Sequence, residues 1–187
     1  MEEGLEFENQ RTWKQWLTKN HKTSPGVWLA LGKKGCSVER VSHSEALDVA
    51  LCYGWIDAKR MSLNDQFFLQ RFVPRSKKSI WSKINREHIQ RLMDAGEMHS
   101  AGLAEVDRAK SDGRWEAAYE PASRATVPED LQAALDENPK AKAFFATLNG
   151  QNRYAILFRL HQAAKPELRK RKIVEFVEML AEGRKFY

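Results

Sequence analysis

The sequence predicts an α+β fold that is predominantly helical, with a small antiparallel sheet confined to the N-terminal part. Three observations carry this. Two β-branched and aromatic runs, Trp55–Met61 and Phe67–Phe72, flank a short polar connection, Leu63-Asn64-Asp65-Gln66. A third apolar run, Val27-Trp28-Leu29-Ala30-Leu31, lies between turn signals at Ser24-Pro25-Gly26 and Gly32-Lys33-Lys34-Gly35. Nearly everything after Pro74 shows helical spacing and helix punctuation.

Taken in order, Phe7 to Lys19 reads as a helix with Phe7, Trp13, Trp16 and Leu17 toward one side. Val27–Leu31 reads as a strand. Ser42-His43-Ser44-Glu45 is a capping box, in which the Ser42 hydroxyl accepts from the Glu45 amide and Glu45 reaches back. The helix it opens buries Ala46, Leu47, Ala50 and Leu51 and stops at Gly54. The runs from Trp55 and from Phe67 then pair antiparallel across a hairpin connection. Pro74 ends the second strand, and Ser79 or a neighbour starts a helix with Trp81, Ile84, His88 and Leu92 on one face, closed by Gly96. Ser100–Asp112 is the next helix, stopped by Gly113, and Trp115–Ala125 is an aperiodic connector. Thr126-Val127-Pro128-Glu129 reads as a second capping box, and Asn138-Pro139 starts a helix with proline in its first turn. Gln151–Ala164 and Pro166–Arg184 complete the C-terminal helices, the last with Ile173, Phe176, Val177 and Leu180 at helical spacing. The expected layout is an α+β part over residues 1–96, a helix and acidic connector over 97–126, and a helical part over 127–187. The three are compatible with one continuous domain.

Composition narrows the class of function. The chain has 187 residues, 42% of them hydrophobic and 30% charged, with six Trp and nine Phe, which suits a soluble protein with a substantial core. No window approaches the roughly 20 apolar residues of a membrane span, so no membrane insertion is expected. Met1-Glu2-Glu3-Gly4 lacks the basic-then-apolar order of a signal peptide, and a cytoplasmic location is expected. Cys36 and Cys52 read as two reduced thiols. There is no CxxC, no His pair at helical spacing, no P-loop and no GxGxxG, so neither a metal nor another cofactor is expected. The histidines His21, His43, His88, His99 and His161 are scattered and form no nucleophile motif, and no catalytic residue is assigned.

Charge is unevenly spread. Leu69–Leu92 holds seven Lys/Arg and one Glu, a net charge equal to the +6 of the whole chain. Arg11–Arg40 is also basic, whereas Ala101–Glu137 is acidic, with nine carboxylates and four cations. Basic residues set among aromatic ones beside a helix start suit an anion. The candidate ligand-binding residues are Trp55, Asp57, Arg71, Arg75, Ser79, Trp81 and Ser82. In this reading Asp57 orients Arg71 or Arg75 toward a phosphate or carboxylate, which a guanidinium can hold with two parallel bonds. Free amides of Ser76–Ser79 add to the site, and Trp55 and Trp81 wall it. The structural alternatives are equally direct: an ion pair at a helix-to-strand corner for Asp57, a solvated basic loop for residues 75–79, and core packing for the two tryptophans.

At these residues the chain resembles the bacterial YdeI/OmpD-associated, or bacteriocin-protection, family. The resemblance rests on Glu45-Ala46 through Gly54-Trp55-Ile56-Asp57 and on Arg71-Phe72-Val73-Pro74-Arg75 through Trp81-Ser82-Lys83-Ile84-Asn85. Gly113-Arg114-Trp115, Val127-Pro128-Glu129-Asp130-Leu131 and the basic Arg169-Lys170-Arg171-Lys172-Ile173 add to it. It implies a role in tolerance to bacteriocins or similar stress. The expected function is that of a non-catalytic protein binding a small anionic ligand or a protein partner. Nucleic-acid binding through the basic segments stands second, and an enzyme acting on a small anionic substrate through Asp57 third.

Overall fold

The computed structural model describes residues 4–36, 38 and 40–187. Among them are eight helices and a three-stranded antiparallel sheet: α1 (Gln10–Asn20), β1 (Val27–Gly32), α2 (His43–Cys52), β2 (Trp55–Ser62), β3 (Phe67–Pro74), α3 (Lys83–Asp94), α4 (Ser100–Ser111), α5 (Glu129–Asp136), α6 (Pro139–Thr147), α7 (Gly150–Gln162) and α8 (Pro166–Ala181). The chain forms two compact units, one running to Ala118 and the other from Tyr119 to Tyr187.

In the first unit the strand order is β1-β3-β2, so the hairpin's second strand is central. Asn64 shapes the hairpin connection, its side-chain oxygen accepting from the amides of Gln66 and Phe67 at 3.0 and 2.9 Å. Successive residues point to opposite faces. Leu29, Leu31, Phe68 and Phe72 join the main core with Trp13 and Leu17 of α1 and Ala46, Leu47, Ala50 and Leu51 of α2. Trp28, Ala30 and Leu69, with Met61 against them, form a smaller cluster on the opposite face. The Ser42 capping box forms as expected, with Glu45 Oε2 accepting from the Ser42 amide at 2.9 Å.

Three expectations shift. The first helix starts at Gln10 rather than Phe7, because Asn9 takes the cap, accepting from the Thr12 amide at 3.1 Å. Phe7 instead lays its ring 5.1 Å from Trp13. α3 starts at Lys83, four residues later than Ser79, because Ser82 is its N-cap. α5 is capped by Pro128 without any side-chain hydrogen bond, so the Thr126 capping box does not form. Glu129 and Asp130 in its first turn supply the negative charge its N-terminus favours.

The second unit is all-helical. Leu131, Leu135, Phe145, Ile156, Leu160, Phe176 and Leu180 make its core, and the stripe expected on the last helix delivers Ile173, Phe176 and Leu180 to it. Buried Asn152 is satisfied by a two-way exchange with the Tyr187 backbone, donating to its carbonyl at 3.1 Å and accepting from its amide at 2.9 Å.

α2 and α4 meet backbone to backbone in the first unit. The Cys52 carbonyl accepts from the His99 amide at 3.1 Å, and His99 Nδ1 caps α4 by accepting from the Ala101 amide at 3.1 Å. Gly102 lies on this contact, where a Cβ would overlap the Cys52 carbonyl oxygen and sit 2.7 Å from its carbon. Both clashing atoms are backbone and cannot rotate away. Gly102→Ala is expected to lose about 2 kcal/mol or more of stability, read as a lower urea midpoint with an unchanged slope; a wild-type midpoint would contradict this packing.

Candidate functional site

The basic segment does not converge on Asp57. Register pairs Asp57 with Phe72 and Ile56 with Val73, so Asp57 lies on the face that Phe72 turns into the main core. Arg71 is one residue along and points the other way, with its guanidinium 5.8 Å from the Trp28 ring in the smaller cluster. The partner of Asp57 is His43 on α2, Nε2 to Oδ2 at 3.3 Å. The expected arrangement of Asp57 orienting Arg71 is therefore corrected by strand alternation.

The two tryptophans take their structural alternative. Trp55 is 1% exposed, donates from Nε1 to the His21 carbonyl at 3.2 Å and meets Trp16 edge-on at 6.0 Å. Trp81 is equally buried and meets Trp115 edge-on at 4.9 Å. Neither offers an open wall to a ligand.

Arg75 is the most informative of the expected residues. It is 5% exposed, and its guanidinium carbon stands 3.5 Å from the centre of the Trp81 ring. Its Nη1 donates to the Ile80 carbonyl at 3.1 Å, and its own amide donates to the Gly54 carbonyl at 3.0 Å. A planar, weakly hydrated guanidinium is the cation best suited to such burial on an indole. Arg75 thus closes its own loop, the stretch from Arg75 to Trp81, from the inside.

Two arginines outside the expected set hold the same loop. Arg114 Nη1 donates to the Ser79 carbonyl at 2.8 Å, and Arg108 Nη2 comes within 3.5 Å of the Arg75 carbonyl. Arg114 is oriented by Asp112, whose two oxygens both accept from its Nε at 2.9 Å; Asp112 titrates below the usual carboxylate range chiefly because of that contact. Arg108 pairs with Glu105 one turn earlier on α4. Burial pushes the Glu105 carboxyl up, although Arg108, Arg114 and Arg75 all favour its charged form.

Within the loop the serines are spent on the backbone. Ser79 Oγ accepts from the Ser76 amide at 2.9 Å, Ser76 Oγ from the Lys78 amide at 3.2 Å, and the Ser76 carbonyl from the Ser79 amide at 3.0 Å. Ser82 caps α3 by accepting from the Asn85 amide at 3.1 Å. The expected cradle of free amides over Ser76–Ser79 is therefore largely consumed by the turn itself. Lys77 and Lys78 are exposed at the tip, with Ser76 and Ile80 exposed beside them. Together with Arg75, Arg108 and Arg114 the lysines set five cations against the carboxylates of Glu105 and Asp112.

Glu105, Arg108 and Arg114 were not legible as parts of one site. The available signals were the i, i+3 spacing of Glu105 and Arg108 and the Gly113-Arg114-Trp115 turn, neither of which names a target thirty residues upstream. Further along, Arg86 Nη1 donates to the Trp115 carbonyl at 2.9 Å and sits 5.1 Å from its ring, next to a shallow concavity lined by Lys83, Gln90 and Trp115. Among the described residues no group of three His, Cys, Asp or Glu side chains is placed to hold a metal ion, and no helix is long and apolar enough to cross a membrane.

Replacing Arg75 by Lys keeps the charge but loses the flat contact with Trp81 and the directed bond to Ile80. Arg75→Lys is expected to cost about 2 kcal/mol in chemical denaturation and to alter Trp emission in the native state. Full retention of both would show that the stack does not hold the loop.

Comparison with known proteins divides the chain in the same region. A domain of unknown function (DUF8412) matches residues 5–105, more than half of the chain. The bacteriocin-protection, YdeI or OmpD-associated family matches residues 124–183. The Gly54–Asp57 and Arg71–Arg75 strings fall within the first match, and the helices of the second unit within the other. No curated protein and no solved structure matches the chain. The chain therefore belongs to the family of the DUF8412 domain, and its residues 124–183 are similar to the bacteriocin-protection, YdeI or OmpD-associated family.

Proposed function

We propose that this is a non-catalytic binding protein of the cytoplasm that takes an anionic ligand, or an anionic patch of a protein partner, on the loop between β3 and α3. The observation that carries the reading is the contrast within that loop. Its carbonyls at Ser79 and Ile80 are held by the guanidiniums of Arg114 and Arg75, while Lys77 and Lys78 at its tip face solvent. Cations presented from a backbone already fixed lose less entropy when they engage a partner than cations on a mobile segment. Arg108 and Arg114 flank them and keep partial exposure, at 32% and 15% of their side-chain surface. The thiols Cys36 and Cys52 are free, and burial pushes Cys52 up to about 11, which leaves it little thiolate for reaction.

The description of the matched C-terminal family supplies the cellular setting in this proposal, protection against bacteriocins or comparable stress. Of the residues expected to carry ligand contacts, Arg75, Ser79, Trp81 and Ser82 shape and hold the loop, and the neighbouring Lys77 and Lys78, outside that expected set, meet the anion. Arg71 and Asp57, on opposite faces of the sheet, stand outside this arrangement.

Calorimetry with inorganic tripolyphosphate checks the assignment. Lys77→Ala combined with Lys78→Ala is expected to weaken binding about tenfold, roughly 1.4 kcal/mol, and to leave the denaturation midpoint unchanged. Wild-type affinity in the folded double variant would remove the loop as the site. A single-stranded oligonucleotide that binds more tightly than tripolyphosphate, with affinity falling steeply as salt is added, would reassign the loop to nucleic acid.

A further inference from the structure

The second unit holds a cavity of about 180 Å³ between the segment 119–128 and α7, with Arg169 of α8 at one side. Its walls are aromatic. Tyr119 and Phe158 meet at right angles with centroids 5.1 Å apart, and Tyr154 stands 5.9 Å from Phe158 at 40°. A cavity of about 150 Å³ lined by apolar side chains admits benzene. This one therefore has room for one six-membered ring and a small substituent, and little more.

The polar side of the cavity sets two donors, Arg169 and Thr126, beside one carboxylate residue of the lining, Glu120. Arg169 gives Nε and Nη2 to the two oxygens of Asp130, at 2.5 and 2.9 Å, and Nη1 to the Leu160 carbonyl at 2.9 Å. A guanidinium has five N–H groups, so two of them are not used by these bonds. The bidentate pair with Asp130 fixes the plane of the guanidinium, which is the costly part of building an acceptor-binding group. The Thr126 hydroxyl and His161 also line the cavity, His161 standing edge-on to Tyr119 at 6.4 Å. Tyr154 is spent structurally, donating from its hydroxyl to the Glu120 carbonyl at 2.9 Å, and burial raises its pKa. That bond ties α7 to the entering segment and holds the cavity's two sides in place.

We propose that this cavity is a binding site for a small aromatic carboxylate, its ring among Tyr119, Tyr154 and Phe158 and its carboxylate toward Arg169 and Thr126. An apolar pocket with a few convergent polar groups is the form small-molecule sites take, here scaled to a single ring. The site lies wholly among residues of the second unit, so it is independent of the basic loop in the first.

An NMR titration of the full chain with sodium benzoate tests it. Benzoate is expected to shift the Tyr154, Phe158 and His161 resonances saturably, with a Kd on the order of 1 mM or tighter for a ligand of this size. Acetate, which lacks the ring, and benzylamine, which reverses the charge, are expected to bind at least about tenfold more weakly. Ala125→Phe places a ring in the cavity and is expected to abolish the benzoate shifts while helical circular dichroism is retained. Should that variant fail to fold, Thr126→Leu at the exposed edge is expected to reduce benzoate affinity severalfold. Absence of saturable shifts with benzoate overturns the proposal, as does benzylamine binding as well as benzoate, or undiminished binding in a folded variant of either position.

Discussion

The first unit depends on one contact: the guanidinium of Arg75 laid on the indole of Trp81. Both side chains are buried, and between them run five residues that carry four hydroxyl or ammonium groups and only one apolar side chain, Ile80. Such a segment has no core of its own. It is ordered because a cation reaches inward from the residue before it, stacks on the aromatic ring of the residue after it and donates to the carbonyl of Ile80. Burying a charge costs several kcal/mol unless it is paired or hydrogen-bonded, and the indole face together with the carbonyl offsets that cost for a group as weakly hydrated as guanidinium. Trp81 is in turn fixed by Trp115, and the turn that carries Trp115 also carries Arg114, which binds the loop at Ser79. Sheet end, loop, α3 and α4 are thereby joined through three arginines rather than through aliphatic packing alone.

This arrangement explains which features could be read in the sequence. Much of the local chemistry was transparent. The Ser42–Glu45 box, the Asn138-Pro139 start, the hairpin around Asn64 and the C-terminal stripe depend on residues a few positions apart, and all of them form. The position of the charged segment was legible too, since it needs only a count along the chain. What failed was geometry across the sheet. Asp57 and Arg71 are both near Phe72, and only the strand register shows that they leave the sheet by opposite faces. The Thr126 box failed because Pro128 itself fits the cap position with an extended backbone, leaving the threonine outside the helix. Ser79 looked like a helix start for the same reason that it forms a turn: its hydroxyl satisfies a nearby amide, and the two uses are indistinguishable in sequence. Arg108 and Arg114 stayed hidden because the loop carbonyls they bind lie more than thirty residues away, and Glu105 because it joins the site only through Arg108.

The redistribution of roles matters for the function proposed. Residues singled out for chemistry by type and density, the arginine and tryptophan of the Arg75–Trp81 stretch, are the ones that the fold itself consumes. The lysines between them, counted in the basic segment but not among the expected ligand contacts, are what the fold leaves on display. The C-terminal helices carry the match to the bacteriocin-protection, YdeI or OmpD-associated family, and they hold an aromatic cavity of their own. Each unit thus has a feature that chemistry can interrogate separately.

Presentation of Lys77 and Lys78 to an anion requires a rigid loop. Backbone ¹⁵N relaxation of Ser76, Lys77, Lys78 and Ser79 measures that rigidity. With the guanidiniums in place, order parameters close to those of the flanking strand and helix are expected, about 0.85. Values below about 0.6 for these four amides would mean that the stack and the arginine bonds do not hold the loop, and the lysines would then be ordinary mobile surface charge.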